Sequence, residues 1–156
     1  MQLPQSVWQR RLESEWRELS ASGLEFSTNS DKTEYAIVIH GRGYVYSNGM
    51  LTPVNTHNVS VRLNRSFPYP GGIEVSWLSP IFHPNIRSQD GKVCIHLLNN
   101  WSGLSSVTAL ARGLVQLLEN PNPRDALDKK AAEYFARNFS GNEPVIPAGP
   151  RIVFKN

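Results

Sequence analysis

The sequence has only one cysteine and no long apolar or basic run. It therefore lacks the features typical of disulfide-rich, zinc-binding, membrane-spanning and nucleic-acid-binding proteins. The single Cys94 cannot form an internal disulfide, and it cannot supply the thiolate set of a structural zinc site. The framework of a small secreted protein is therefore excluded, and we expect a cytoplasmic protein. No apolar run reaches the roughly 20 residues of a membrane span, and residues 1–4 do not resemble the start of a signal peptide, so we expect neither feature.

The charge of the chain is nearly balanced. It has 16 Lys and Arg against 13 Asp and Glu, a formal net charge of +3, and no Lys/Arg run is longer than two residues. Such a sequence has no basic stripe that could follow a phosphate backbone, so we expect neither nucleic acid nor a membrane as partner. We also expect no cofactor and no metal ion.

The length and composition predict one folded domain. The chain has 156 residues, of which 40% are hydrophobic, and this is enough to bury a core. We therefore predict a single domain over residues 1–156, in which residues 140–156 form a tail rich in Pro and Gly.

The hydrophobic pattern predicts an α+β domain. A first helix has Trp8, Leu12, Trp16 and Leu19 on one face, with Ser6 as its cap and Gly23 at its end. Alternating apolar residues then predict an antiparallel meander of four strands, and two helices follow. Ser105 or Ser106 is expected to cap the first of these helices and Asp125 the second. The predicted strand segments are 24–28, 34–40, 44–46, 50–52, 58–63 and 73–77, and residues 47–49 form a turn.

The regular pattern stops between Trp77 and Ser105, and this long segment contains the residues with chemical potential. Loops of this length inside a compact domain are often functional. Each residue also has a structural interpretation: His83 as a hydrogen-bonding partner within the fold, Asn85 as a turn residue and Cys94 as a small buried side chain.

Taken together, the motifs resemble the active-site region of ubiquitin-conjugating enzymes. The family pattern places His-Pro-Asn about ten residues before Gly-x-Val/Ile-Cys-Leu/Ile, then a Trp-Ser-Pro, a helix and a Pro-Asn-Pro-x-Asp-Pro-Leu. The corresponding motifs here are His83-Pro84-Asn85, Gly91-Lys92-Val93-Cys94-Ile95, Trp101-Ser102 and Pro121-Asn122-Pro123-Arg124-Asp125-Ala126-Leu127. The resemblance implies the family's fold, with an N-terminal helix, a four-stranded meander, a long active-site loop and C-terminal helices.

The resemblance also implies roles for these residues. Cys94 would be the nucleophile that carries a ubiquitin-like protein as a thioester. Asn85 would donate to the oxyanion or hold the loop, and His83 would be structural. Asp125 would position the acceptor amine. His96 would point to the same face as Cys94 in an extended segment, where it is a candidate modulator.

The implied partners are all proteins. They are a ubiquitin-like protein, an ATP-dependent activating (adenylating) enzyme, a ligase and a protein substrate that offers a lysine or a thiol. Arg10, Arg11 and Arg17 on the first helix are the expected contacts of the activating enzyme. The two loops that usually bind a ligase depart from the family pattern, at Tyr69 and at Gly103-Leu104, so ligase docking is expected to be atypical. These departures indicate a divergent member, of the kind that a prokaryotic ubiquitin-like pathway would contain.

Two alternatives remain open from the sequence. The same fold occurs in non-catalytic ubiquitin-binding variants, although those lack the cysteine. A cysteine hydrolase would instead need His83 or His96 as a base for Cys94, and no local protease signature accompanies them.

Overall fold

The computed structural model describes residues 1–93, 98, 105–140 and 143–144. The described elements, in chain order, are α1 (Gln5–Ala21), β1 (Glu25–Thr28), β2 (Glu34–Ser47), β3 (Met50–Leu63), β4 (Ile73–Trp77), α2 (Val107–Glu119), a 3-10 helix (Pro123–Asp125), α3 (Lys129–Asn138), β5 (Phe139–Ser140) and β6 (Glu143–Pro144).

Strands β1 to β4 form one antiparallel sheet in sequence order, which confirms the predicted meander. The register places Ile37 opposite Val59 and Val61 opposite Val75. Because side chains alternate along a strand, one sheet face presents an apolar surface. The helices α1 and α2 cover this face, and the core between them includes Leu12, Leu19, Ile39, Leu110 and Leu114.

The predicted turn at Asn48-Gly49 is present, but the strands beside it are longer than expected. Asn48 and Gly49 have φ angles of 53° and 76°, which suits a tight two-residue hairpin turn. The separate segments predicted on either side merge into two strands of 14 residues each. A register irregularity between His40 and Gly43 allows β2 to continue. A Cβ atom on Gly43 would lie 2.8–2.9 Å from atoms of His57, Ile81 and Leu118, so a larger residue here would require these side chains to shift.

The helix ends correct two predicted caps. Pro4, not Ser6, takes the N-cap position of α1, which has no side-chain cap, and Ser6 lies within the helix. Asp128, not Asp125, caps α3, since the Ala131 N–H donates to its carboxylate at 3.0 Å. Asp125 belongs instead to the preceding 3-10 helix.

Two other predicted helix boundaries are confirmed. The Ser106 hydroxyl accepts the Ala109 N–H at 3.0 Å and so caps α2. Gly23, with a φ of +81°, follows the end of α1.

A second apolar cluster attaches α3 to the β2–β3 hairpin. Ala131 and Phe135 of the helix pack against Tyr44, Leu51 and Phe82. The cluster lies beside His83, whose ring is 6.3 Å from that of Phe135.

None of the helices in the described part of the chain is long and apolar enough to cross a bilayer.

Candidate functional site

The segment that leads to Cys94 is folded back on the sheet rather than extended away from it. Isolated bridges pair Ser76 with Lys92 and Ile86 with Val93. Val93 directly precedes Cys94, and Ile86 directly follows His83-Pro84-Asn85. The bridge between them therefore fixes the backbone before the cysteine beside this motif. Cys94 itself lies outside the described residues, as do His96, Trp101, Gly103 and Leu104.

Gly91 allows this segment to approach β4 closely. Its carbonyl accepts the Trp77 N–H at 2.8 Å, and its own N–H donates to the Arg87 carbonyl at 2.7 Å. Gly91 has a φ of +74°, and a Cβ atom here would lie 2.2 Å from the Trp77 carbonyl oxygen. The turn before it is held by Asp90, whose carboxylate accepts from the Arg87 guanidinium and from the Lys92 N–H. The Arg87 hydrogen bonds hold the pKa of Asp90 well below its usual range.

His83 is a buried, neutral ring that ties the loop to α2. Its Nδ1 accepts the Asn85 N–H at 3.0 Å, and its Nε2 lies 2.8 Å from the Leu117 carbonyl oxygen. A carbonyl oxygen only accepts, so Nε2 carries the proton. Burial lowers the pKa of His83 to about 4, which keeps the ring uncharged near neutral pH. Both ring nitrogens are therefore occupied by backbone groups, and neither is available as the base of a cysteine hydrolase.

Asn85 is fully buried and connects the loop to the segment after α2. Its side-chain Nδ2 donates to the Asn122 carbonyl at 2.8 Å, and its Oδ1 accepts the Asn122 N–H at 2.7 Å. The amide thus satisfies both backbone groups of one residue. The sequence left two roles open for Asn85: holding the loop or donating to the oxyanion. This arrangement corresponds to the first role, and the second stays a prediction.

The backbone of Asp125 is held between two contacts to the same loop. At one end Asn122 is bound to Asn85, and at the other the N–H groups of Leu127 and Asp128 both donate to the Pro84 carbonyl, at 2.8 and 3.1 Å. The 3-10 helix that contains Asp125 lies between these anchors. The structure therefore brings the backbone segments of His83, Asn85 and Asp125 together, and the roles of these residues stay predictions.

Asn122 is a residue that the sequence reasoning missed. Its Oδ1 accepts the Arg124 N–H at 3.1 Å and caps the 3-10 helix. The available signal was an asparagine directly before Pro123, since asparagine often caps a turn through its side-chain oxygen.

The three arginines of α1 have different environments. Arg11 is bound internally: its guanidinium contacts Glu15 at 2.9 Å and donates to the Ser105 carbonyl at 2.6 Å. Arg10 and Arg17 are exposed, and Arg17 pairs with Glu13 at 3.5 Å. Arg11 thus joins two helices, whereas the other two remain accessible for the predicted contact with an activating enzyme.

Glu15 is a buried carboxylate that the sequence reasoning also missed. It is 2% exposed, and its Oε2 accepts the Val107 N–H at 3.3 Å, at the start of α2. Burial raises the pKa of Glu15, and the hydrogen bond from Arg11 opposes that rise. The signal was its spacing, because Leu12, Glu15 and Leu19 share one face of α1.

The remaining predicted contact is Tyr69. It is half-buried in the turn between β3 and β4, where its N–H donates to the Ser66 carbonyl and its carbonyl accepts the Gly72 N–H, both at 2.9 Å.

Within the described residues, no group of three or more His, Cys, Asp or Glu side chains could hold a metal ion.

Comparison with known proteins identifies the family. The family model described as "Ubiquitin-conjugating enzyme" matches residues 8–143. Two Arabidopsis thaliana proteins are each 28% identical to the chain: "Probable ubiquitin-conjugating enzyme E2 31", over 83% of this chain and 82% of that protein, and "Ubiquitin-conjugating enzyme E2 6", over 86% and 72%.

The fold has matches among solved structures. The E2 domain of a Toxoplasma gondii ubiquitin conjugating enzyme superimposes with a TM-score of 0.68 at 24% identity, covering 83% of this chain and 87% of that one. This similarity concerns the fold, and the family assignment rests on the match over residues 8–143. The chain belongs to the ubiquitin-conjugating enzyme family.

Proposed function

We propose that this protein accepts a ubiquitin-like protein from an activating enzyme as a thioester on Cys94 and transfers it to an amine or a thiol. The observation that carries the proposal is the location of the single cysteine of the chain. It follows Val93, which pairs with Ile86 directly after His83-Pro84-Asn85, in a member of the ubiquitin-conjugating enzyme family.

The chemistry requires an accessible thiol rather than a strong base. In the loading step, the Cys94 thiolate attacks the thioester carbonyl of the partner on the activating enzyme. A new C–S bond forms, and the thiolate of the activating enzyme leaves. A free thiol has a pKa of about 8.5, so a few per cent is ionised near neutral pH. The absence of a free ring nitrogen on His83 agrees with this requirement.

The second step needs a fixed arrangement of groups around the thioester. When an amine attacks, an oxyanion develops and the amine must lose a proton. The hydrogen bonds of Asn85 and Pro84 fix the backbone of the Asp125 turn against the segment that leads to Cys94. This supports a role for Asp125 in receiving or orienting the amine, with Asn85 as the residue that holds the two segments together.

The partners follow from the same proposal. The exposed Arg10 and Arg17 are offered as contacts for the activating enzyme, and Arg11 would act indirectly by fixing α1 on α2. For a ligase, we offer Tyr69, Gly103 and Leu104 as contacts, with atypical docking because these positions depart from the family pattern. A single unpaired thiol suits a reducing compartment, so we propose that the protein works in the cytoplasm.

The direct test is a loading assay with the Cys94→Ser variant. Wild-type protein, incubated with an activating enzyme, its ubiquitin-like protein and ATP, should form an adduct that a thiol reductant removes. Cys94→Ser should form none, or only a reductant-stable oxyester. Non-covalent binding without any adduct would instead assign the chain to the non-catalytic variants of the fold, and hydrolysis of a thioester substrate without ATP would favour a hydrolase.

A further inference from the structure

We propose that Asn122 is a positioning residue for the transfer step, because its side chain holds the turn that presents Asp125 to the incoming amine. This inference rests on the proposed function and assigns a role to the Asn122 side chain, to which the family resemblance gave none. Asn122 is not proposed to touch the substrate. It acts through the backbone of the 3-10 helix (Pro123–Asp125) that follows it.

The backbone around Asn122 is anchored independently of its side chain. The Asn122 N–H and carbonyl are bound by the Asn85 side chain at 2.7 and 2.8 Å. The far end of the segment is bound at the Pro84 carbonyl by the N–H groups of Leu127 and Asp128. Both anchors hold the ends of the segment, and Asp125 lies between them, three residues from the first and two from the second.

The side chain of Asn122 stabilises the part of the segment that the anchors leave unsupported. The 3-10 helix has three residues, and its first residue, Pro123, has no N–H to donate. The Arg124 N–H is the first N–H group of this helix and has no acceptor within it. The Asn122 Oδ1 accepts this N–H at 3.1 Å. The Arg124 N–H belongs to the Pro123–Arg124 peptide unit, so this bond restrains the backbone directly before the peptide unit that joins Arg124 to Asp125.

The position of Asn122 separates this role from a general contribution to the core. Asn122 is exposed, whereas Asn85 is fully buried. Shortening the Asn122 side chain therefore leaves no cavity and does not alter the two backbone bonds to Asn85. The change removes the cap of the 3-10 helix, so the Asp125 turn should become more mobile while the fold and the loading step persist.

Three variants test this proposal. Asn122→Ala removes the cap, and Asn122→Ser restores a side-chain oxygen that can accept the Arg124 N–H. Asn120→Ala is a matched control, because Asn120 is also exposed and its Nδ2 donates to the Gln116 carbonyl at 3.0 Å, outside the Asp125 turn. Two properties are measured: hydrogen exchange at the Arg124 N–H, and single-turnover discharge of the loaded protein to free lysine.

The expected results depend on whether residue 122 can still accept the Arg124 N–H. Asn122→Ala should load at the wild-type rate and discharge about three- to tenfold more slowly, as expected for losing one capping bond. Its Arg124 N–H should exchange faster. Asn122→Ser should recover most of both properties, and Asn120→Ala should match the wild type. In an Asp125→Ala background, the further change Asn122→Ala should have little effect, because both act through the same group.

The contrary results are equally specific. Wild-type discharge by Asn122→Ala after normal loading overturns this inference and leaves the proposed function intact. Additive effects of Asn122→Ala and Asp125→Ala also overturn it. If wild-type protein takes up no ubiquitin-like partner, the proposed function fails and the inference fails with it. The exchange measurement then still reports whether Asn122 caps the turn.

Discussion

The side-chain amide of Asn85 and the backbone of Asn122 form a reciprocal pair of hydrogen bonds, 2.8 and 2.7 Å long, across 37 residues of sequence. This pair joins the segment that leads to Cys94 with the segment that carries Asp125. The geometry makes Asn85 a fixed part of the fold as well as a candidate group for the transfer step.

We predict that Asn85→Ala destabilises the protein and slows discharge. The change removes two part-buried hydrogen bonds and leaves the N–H and carbonyl of Asn122 without their Asn85 partner, so the unfolding free energy should fall by about 2 kcal/mol. Discharge to amine should slow by about 1.5–4 kcal/mol of barrier while loading persists. Chemical denaturation and single-turnover assays measure the two effects. An equal loss of loading and discharge would restrict Asn85 to holding the fold.

Stability should fall in acid because of His83. Its folded pKa of about 4 lies below the ordinary 6.5, so below pH 6.5 the unfolded chain binds a proton that the folded chain does not. The contribution, up to about 3 kcal/mol, is present above pH 6.5 and is lost as the pH falls from 6.5 to 4. Burial also lowers the pKa of His57, which adds to the loss with the same sign.

The melting temperature from pH 4 to 7.5 measures this effect. The slope between pH 4 and 6.5 should be smaller in His83→Gln than in the wild type, because the glutamine does not titrate. An unchanged slope in His83→Gln would contradict the assignment of a buried, neutral ring.

Gly91→Ala should be more disruptive than Gly71→Ala. Both glycines have positive φ angles, of 74° and 87°, so alanine is strained at either position by about 1–2 kcal/mol. A Cβ atom at Gly91 would also meet the Trp77 carbonyl oxygen at 2.2 Å, whereas nothing lies within 4 Å of one at Gly71. Denaturation curves should therefore show the larger loss for Gly91→Ala. Equal losses would mean that the segment before Cys94 is not packed against β4.

Arg11→Ala should reduce stability, and Arg10→Ala and Arg17→Ala should not. Removing Arg11 leaves the buried Glu15 carboxylate without its cation, at a cost of about 2 kcal/mol after allowance for the partial exposure of Arg11. The exposed arginines should change stability by less than about 0.5 kcal/mol. If they contact the activating enzyme, their loss should slow loading alone. A stable Arg11→Ala variant would contradict the internal role.

Much of the fold is predictable because it depends on local patterns. The face of α1, the alternation of the strands and the Asn48-Gly49 turn are all readable from neighbouring residues. The length of β2 was not predictable, because Gly41 and Gly43 interrupt the alternation. The strand continues through a register irregularity, and a residue larger than Gly43 would require His57 and Leu118, from distant parts of the chain, to shift.

Site residues that belong to a sequence motif were predictable. Residues whose role depends on a partner far away in the sequence were not. His83 and Asn85 were identified from their order in the sequence. Arg11 was predicted as a surface contact because its partner, the Ser105 carbonyl, is 94 residues away. Glu15 binds a backbone group 92 residues away, and no local pattern specifies that distance.

The most direct test of the central claim is the intact mass of the protein after incubation with its activating enzyme, a ubiquitin-like protein and ATP, with and without a thiol reductant. We expect one added partner per chain, with the loss of one water, and complete return to the original mass in reductant. Because Cys94 is the only cysteine, a thiol-sensitive adduct places the bond on that residue. An unmodified wild-type mass under conditions that load the activating enzyme itself would contradict thioester formation on Cys94.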